Sequence, residues 1–264
     1  MFEAVLLGLM QGLTEFLPVS SSGHLVVLQH FLGFEEHSVS FDIAVHLGTI
    51  LSILTVYRKA VAELLSEAMS CVGTARNFIL MVILGNVPTA MIGLGLKSVF
   101  LEMFQSLEVV GVCFIITGTL LLATRGTKSE GQANKDFVDF SGMTPIKWWQ
   151  AIVIGVAQGF AISPGISRSG STIAAGLLLG LPRKTAALYS FMLSIPAIGG
   201  ATILQIKDLA GSGSTLWGPL AVGTLVAYMA GVFGLLAILK VIRGGRLEIF
   251  TIYLWILGPF ILFR

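Results

Sequence analysis

The chain has 264 residues, 55% hydrophobic and only 11% charged, with a net charge of +2 and a mean hydropathy of +0.90. A water-soluble domain carries about 25% charged residues, so the polar surface needed to cover a soluble core is missing and the solvent must be lipid. The slight positive balance supplies no basic patch, so no nucleic acid is expected as a partner. Cys71 and Cys113 lie far apart without ligand spacing and read as unpaired.

The N-terminus, "MFEAVLLGLM", has no Lys or Arg before its apolar run and no clear cleavage site, so it reads as retained protein rather than a signal peptide. The apolar stretch 4–32 is interrupted by "QGLTEFLPVSSSGHL" at 11–25. Three apolar runs follow, roughly 41–57, 78–97 and 107–124. Each approaches the ~20 residues that a spanning helix needs. The most polar segment comes next, at 125–147. A second broken stretch, 148–181, carries "QGFAISPGISRSGST" at 158–172, and three more runs close the chain at 186–204, 218–240 and 247–263. Irregular backbone at membrane depth is tolerated only where it is buried in protein or lines a wet cavity. The two broken stretches are therefore predicted to be re-entrant helical hairpins.

The halves repeat. A shift of 147 positions carries Gly8 onto Gly155, Gln11 onto Gln158, Gly12 onto Gly159, Ser20 onto Ser167, Ser22 onto Ser169 and Gly23 onto Gly170. With three spans per half, the second copy must be inverted relative to the first. The expected fold is an all-α polytopic membrane protein in a single membrane domain. It has six transmembrane helices plus two re-entrant hairpins, in inverted-topology repeats over 1–124 and 148–264, joined by a cytoplasmic linker at 125–147. Lys and Arg set the orientation. Twelve lie in the loops after the first, third and fifth runs and after the second hairpin, against Lys97, Lys207 and Arg264 on the other side. The crowded side is cytoplasmic, and the first hairpin opens outward.

Such architectures place their site at the repeat interface near the midplane. Both hairpins turn at Ser-rich tips that run into a new apolar helix. Ser is a favoured N-cap, Gly lets backbone N–H groups approach a ligand, and a helix N-terminus binds anions. Arg168, the one basic residue inside a hairpin, adds a planar fork suited to phosphate. Glu15 and Arg168 each cost roughly 2.5–3.5 kcal/mol to place at bilayer depth, so they are functional candidates by default. Gln11 and Glu15, four apart, share a helix face. His24 becomes an acid/base candidate beside a carboxylate and a hydroxyl. His30 and His37 read as outer-surface residues, and Asp42 and His46 as a pair meeting interfacial water. The expected ligand is a phosphate-bearing molecule in the membrane.

The stretches "QGLTEFLPVSSSGH" and "PGISRSGST" resemble the two signature motifs of the undecaprenyl-diphosphatase family, the bacitracin-resistance phosphatases of bacterial membranes, and the likeness covers the whole chain. The resemblance implies hydrolysis of undecaprenyl diphosphate to undecaprenyl phosphate and inorganic phosphate, which recycles the lipid carrier of wall polymers. It places the enzyme in the bacterial plasma membrane and implies a divalent cation, Mg²⁺ or Ca²⁺. It assigns catalysis to Glu15, Ser21, His24 and Arg168, with Glu15 also on the metal. Gln11, Ser20, Ser22, Gly23, Ser167, Ser169, Gly170 and Thr172 then line the substrate site. One position departs from many members: Gln11 stands where they carry Glu, so a two-carboxylate metal site is in question. The nucleophile stays open among Ser21, Ser167, His24 and water. The partners are the polyprenyl diphosphate and membrane lipids, with a homodimer left open. The alternative class is a secondary transporter or flippase of a polyprenyl phosphate, which shares the architecture.

Overall fold

The structure, a computed structural model, describes residues 1–33, 39–69, 73–127, 138–140, 142–209 and 217–264. Among them are twelve helices and no strand. They are α1 (Phe2–Phe16), α2 (Ser21–Leu32), α3 (Val39–Val56), α4 (Arg58–Met69), α5 (Gly73–Gly95), α6 (Lys97–Phe104), α7 (Leu107–Ala123), α8 (Trp148–Phe160), α9 (Arg168–Leu178), α10 (Arg183–Leu209), α11 (Trp217–Gly244) and α12 (Ile249–Leu262). His37, Cys71 and linker residues 128–137 and 141 lie outside the described residues.

The two broken stretches fold as pairs of short helices. Pro18 disfavours the helical region for Leu17, whose ψ of 140° ends α1. Ser20 and Ser167 then cap α2 and α9, accepting hydrogen bonds from Gly23 N and Gly170 N. α1 lies against α2, and α8 against α9.

Every expected run is helical, but the span count is coarser than expected. Gly73–Gly95, Arg183–Ile203 and Trp217–Gly244 are long and apolar enough to cross a membrane. The total reaches five if Phe41–Val56 with Arg58–Glu67 (bent 75°) and Lys97–Phe104 with Leu107–Ala123 (bent 104°) each count as one. The run expected at 247–263 forms a helix of only 14 residues, ending at Leu262 with Pro259 inside it. At 1.5 Å per residue this is about 21 Å, short of a ~30 Å hydrocarbon core. α4 and α6 were not anticipated, because each follows an apolar run and carries charge, which reads as loop.

Packing is reciprocal between the halves. α1 lies on α11 and α8 on α5; α3 lies on α11 and α10 on α5; α7 pairs with α12 and α3 with α10. Glycines permit these contacts. A Cβ on Gly8 would stand 2.7 Å from Gly223 O, and one on Gly155 would stand 1.9 Å from Gly85 O. Small residues that let backbones approach are how helices associate in lipid, where no hydrophobic force drives them together. At the basic end, fully buried Lys184 pairs with Asp139, and Glu63 Oε2 accepts from Phe140 N at 2.9 Å. The described end of the linker is thereby pinned to α4 and α10.

Gly155→Ala should separate α8 from α5 and lower thermal stability by about 1–3 kcal/mol, the usual cost of overpacking. Gly200→Ala, with nothing within 4 Å of the added carbon, is the neutral control. Equal melting temperatures for the two variants would show that the α5–α8 approach is slack.

Candidate active site

Glu15, near the end of α1, is buried and fully engaged. Its Oε2 accepts from Gln11 Nε2 at 2.9 Å and from Ser21 Oγ at 2.5 Å, and Oε1 accepts from Arg168 Nη2. The carboxylate thus joins the first residue of α2 to the first residue of α9. The ion pair is itself largely inside, with the Arg168 side chain 15% exposed and Glu15 6%.

The two turns meet directly. Gly165 N donates to Ser20 Oγ at 3.1 Å, and a Cβ on Gly23 would stand 2.8 Å from the Gly165 backbone. Gly165 has φ of 92° and packs within 2.6 Å of Val110 O at its missing Cβ, so both conformation and space require glycine there. Gly170 approaches Pro18 in the same way, at 3.1 Å. Thr117 on α7 braces the second turn, donating to Gly165 O at 2.9 Å and accepting from Ser167 N at 3.2 Å. Two helix N-termini are therefore brought side by side, and the first N–H groups of a helix have no carbonyl partner within it.

The remaining expected residues divide. Ser22 and Ser169 hydroxyls lie 3.3 and 3.2 Å from the capping hydroxyls of Ser20 and Ser167. Ser167 Oγ is occupied by its cap to Gly170 N at 3.0 Å. The Thr172 hydroxyl turns away, to Arg168 O at 2.8 Å and to Ser190 Oγ on α10 at 2.6 Å. No described hydrogen bond joins His24 to Glu15 or Ser21. Its Nδ1 meets Ser20 O at 2.8 Å and its Nε2 meets Tyr253 Oη on α12 at 2.6 Å. Its ring packs edge-on to Phe114 and parallel to Tyr253.

Two groups here do not stand out in the sequence. Tyr253 and Thr117 each sit in an apolar run, where Tyr reads as an interfacial anchor and Thr as a packing residue.

Among the described residues, two buried polar atoms flanking Glu15 have no hydrogen-bond partner: Gln11 Oε1 and Arg168 Nη1. An unpaired buried donor or acceptor is costly. The first suits a hard cation and the second a phosphoryl oxygen. Among the described residues no cluster of three or more His, Cys, Asp or Glu forms a protein cage for a metal. The donor set fits a cation that takes few protein oxygens and completes its shell with phosphate and water, as Mg²⁺ does.

Taken together, the helices and this cluster define a multi-pass membrane protein with a buried ion pair where two broken helix pairs meet. The chain belongs to the family described as bacitracin resistance protein BacA, which it matches over residues 4–260. It is 44% identical over 265 residues to the undecaprenyl-diphosphatase of Carboxydothermus hydrogenoformans, covering 99% of this chain and 96% of that protein. It is 42% identical over 273 residues to the undecaprenyl-diphosphatase of Desulforapulum autotrophicum, covering 98% and 96%. The undecaprenyl-diphosphatase of Methanosphaera stadtmanae is 36% identical over 272 residues, with 97% and 95% covered.

Ser20 is the one non-glycine described at positive φ, 69°. Ser20→Ala should lose the cap and the Gly165 contact, about 1 kcal/mol, and keep the strain that Ser20 already carries. Ser20→Gly should lose the same bonds but relieve that strain, recovering ~1–2 kcal/mol. Ala should therefore have the lowest melting temperature of the three. Ala equal to Gly would remove strain from the account.

Proposed function

We propose that the chain hydrolyses undecaprenyl diphosphate to undecaprenyl phosphate and inorganic phosphate, as the names of its relatives indicate. One observation carries the link between residues and reaction: Glu15 holds Ser21 and Arg168 by the same carboxylate, beside two abutting helix N-termini. Ser21 is then a hydroxyl with a base in contact, the arrangement that activates a weak nucleophile. In this reading Ser21 Oγ attacks the terminal phosphorus and its proton passes to Glu15. The bond to the bridging oxygen breaks, and undecaprenyl phosphate leaves with the electron pair. Water then attacks the phosphoserine, Glu15 hands its proton to the departing Ser21 Oγ, and inorganic phosphate leaves with the oxygen of the water. Ser167 is the weaker candidate nucleophile, because its Oγ caps α9.

Arg168 and the N–H groups at Ser21, Ser22, Arg168 and Ser169 face the charge that develops on the phosphoryl oxygens. Arg168 Nη1, without a protein partner, is the donor left for substrate. Ser20, Ser167, Gly23 and Gly170 set the approach of the two turns, and Ser22 and Ser169 complete the polar rim. Thr172, bonded to Ser190, steadies α9 instead of binding substrate. Glu15 and Gln11 would hold the divalent cation, Mg²⁺ or Ca²⁺, whose charge polarises the diphosphate oxygens when bound.

The finer layout belongs to the same proposal. α1–α2 and α8–α9 are re-entrant hairpins in inverted repeats, supported by the reciprocal helix packing and the mutual Gly23–Gly165 and Gly170–Pro18 contacts. The basic asymmetry supports a plasma-membrane protein whose site opens outward. The prenyl tail lies between helices, against lipid.

Phosphate release from polyprenyl diphosphate by the purified chain in detergent tests the function directly, since transport needs two compartments and hydrolysis does not. Glu15→Gln should lose nearly all activity and, by leaving Arg168 without its carboxylate, about 3–5 kcal/mol of stability. Arg168→Lys keeps the charge but not the fork, and should lose at least about tenfold in kcat/KM, or about 1.4 kcal/mol. Full activity of the Lys variant would reduce Arg168 to a point charge, and full activity of Arg168→Ala would move the site elsewhere.

Gln11→Glu adds a hard anionic oxygen beside Glu15 and should raise the apparent affinity for the divalent cation in an activity titration. Unchanged or weaker activation would place Gln11 off the metal.

A further inference from the structure

His24 is held at both ring nitrogens. Ser20 O, 2.8 Å from Nδ1, is a carbonyl and can only accept, so Nδ1 carries a proton. In the neutral ring Nε2 is then a bare lone pair, and the hydroxyl 2.6 Å away, Tyr253 Oη, donates to it. If the ring gains a proton, Nε2–H donates back to a lone pair of the same oxygen. Tyr253 serves both states without moving. The rings stack, with centroids 5.7 Å apart and planes 11° from parallel, while Phe114 closes the other side edge-on at 5.1 Å. The imidazole is therefore a fixed group, buried at 7% exposure.

The hydrogen bonds also fix where a proton can come and go. Nδ1 is committed to the carbonyl of Ser20, the residue before Ser21. Nε2 is the only nitrogen free to take up a proton, and its neighbour is Tyr253, 45% exposed on α12. A proton exchanged with this ring passes Tyr253 Oη.

We propose that Tyr253 is a positioning residue for His24. Its hydroxyl locks the imidazole in the Nδ1–H tautomer and holds Nε2 as the single proton-accepting atom at the start of α2. The proposal rests on the hydrolase reading only in its kinetic arm.

Tyr253→Phe keeps the ring stack and removes the hydroxyl. In the full chain labelled with ¹⁵N-histidine in detergent, the wild type should show one His24 tautomer with a hydrogen-bonded Nε2. The signal is assigned by its loss in His24→Ala. In Tyr253→Phe the Nε2 signal should move toward the unbonded position. In phosphate-release kinetics, with His24 as the acid/base that the motif implies, Tyr253→Phe should lower kcat about tenfold and leave KM within about twofold. Added to His24→Ala, it should cost nothing further, because a residue acting through another is not additive with it. Unchanged His24 ring signals would overturn the proposal. So would an equal kinetic loss with and without His24, which would make Tyr253 a packing residue. Absence of phosphate release from the wild type would instead strike the hydrolase reading, and the nuclear magnetic resonance arm would still decide the role of Tyr253.

Discussion

The ion pair between Glu15 and Arg168 is the constraint on which the site is built. Neither charge is affordable alone at bilayer depth, and removing one partner of a buried pair costs about 3–5 kcal/mol because it strands the other. The pair also links the halves, from the end of the first helix of one broken pair to the start of the second helix of the other. Folding the two halves apart would leave both charges unpaired. The same bond that assembles the halves therefore fixes the guanidinium beside the carboxylate and Ser21. Stability and site geometry rest on one contact.

The contact needs close backbones to exist. Gly23 against Gly165 and Gly170 against Pro18 let two turns approach until the capping hydroxyl of Ser20 reaches the amide of Gly165. A methyl added at Gly23 would push the turns apart. Ser20 shows the local cost: it accepts a positive φ so that its hydroxyl caps α2 and holds Gly165 N while its carbonyl meets His24. Strain of this kind, about 1–3 kcal/mol, persists only where the surroundings over-determine it.

Much of this was legible in the sequence, and the reasons differ by residue. Glu15 and Arg168 stood out because charge is expensive in an apolar chain, and Ser20 and Ser167 because Ser before an apolar helix is a cap. The repeat was visible because the glycines and serines that shape the turns recur 147 positions on. The unread parts share a cause, which is that they depend on who lies opposite. Nothing in "TIYLWIL" says that Tyr253 meets His24 across the fold, and nothing in α7 marks Thr117 as the brace of the second turn. Thr172 belonged to the motif by position, yet its hydroxyl turns to Ser190. α4 and α6 were missed because an amphipathic helix at the end of an apolar run looks like its loop. α12 was read three residues too long, since composition alone does not show where a helix stops.

The sequence repeat also frames the asymmetry of this cluster. The scaffold residues are duplicated: Gln11 and Gln158, Ser20 and Ser167, Gly23 and Gly170 are twins. The chemistry is not. The twin of Glu15 is Ile162, the twin of Ser21 is Arg168, and the twin of His24 is Ser171. The twin positions Ser21 and Arg168 both reach the same carboxylate, one from each half, and put a hydroxyl and a cation on opposite oxygens of Glu15. A second carboxylate at position 162 would compete for Arg168, and a second arginine at position 21 would remove the hydroxyl. Gln158 shows what the half without the carboxylate does with the same scaffold. Its amide donates to Asn86 and Thr89 and ties α8 to α5, as a packing residue would. The recurring positions shape the two turns, and the three that differ between the halves put carboxylate, hydroxyl and cation into one asymmetric cluster.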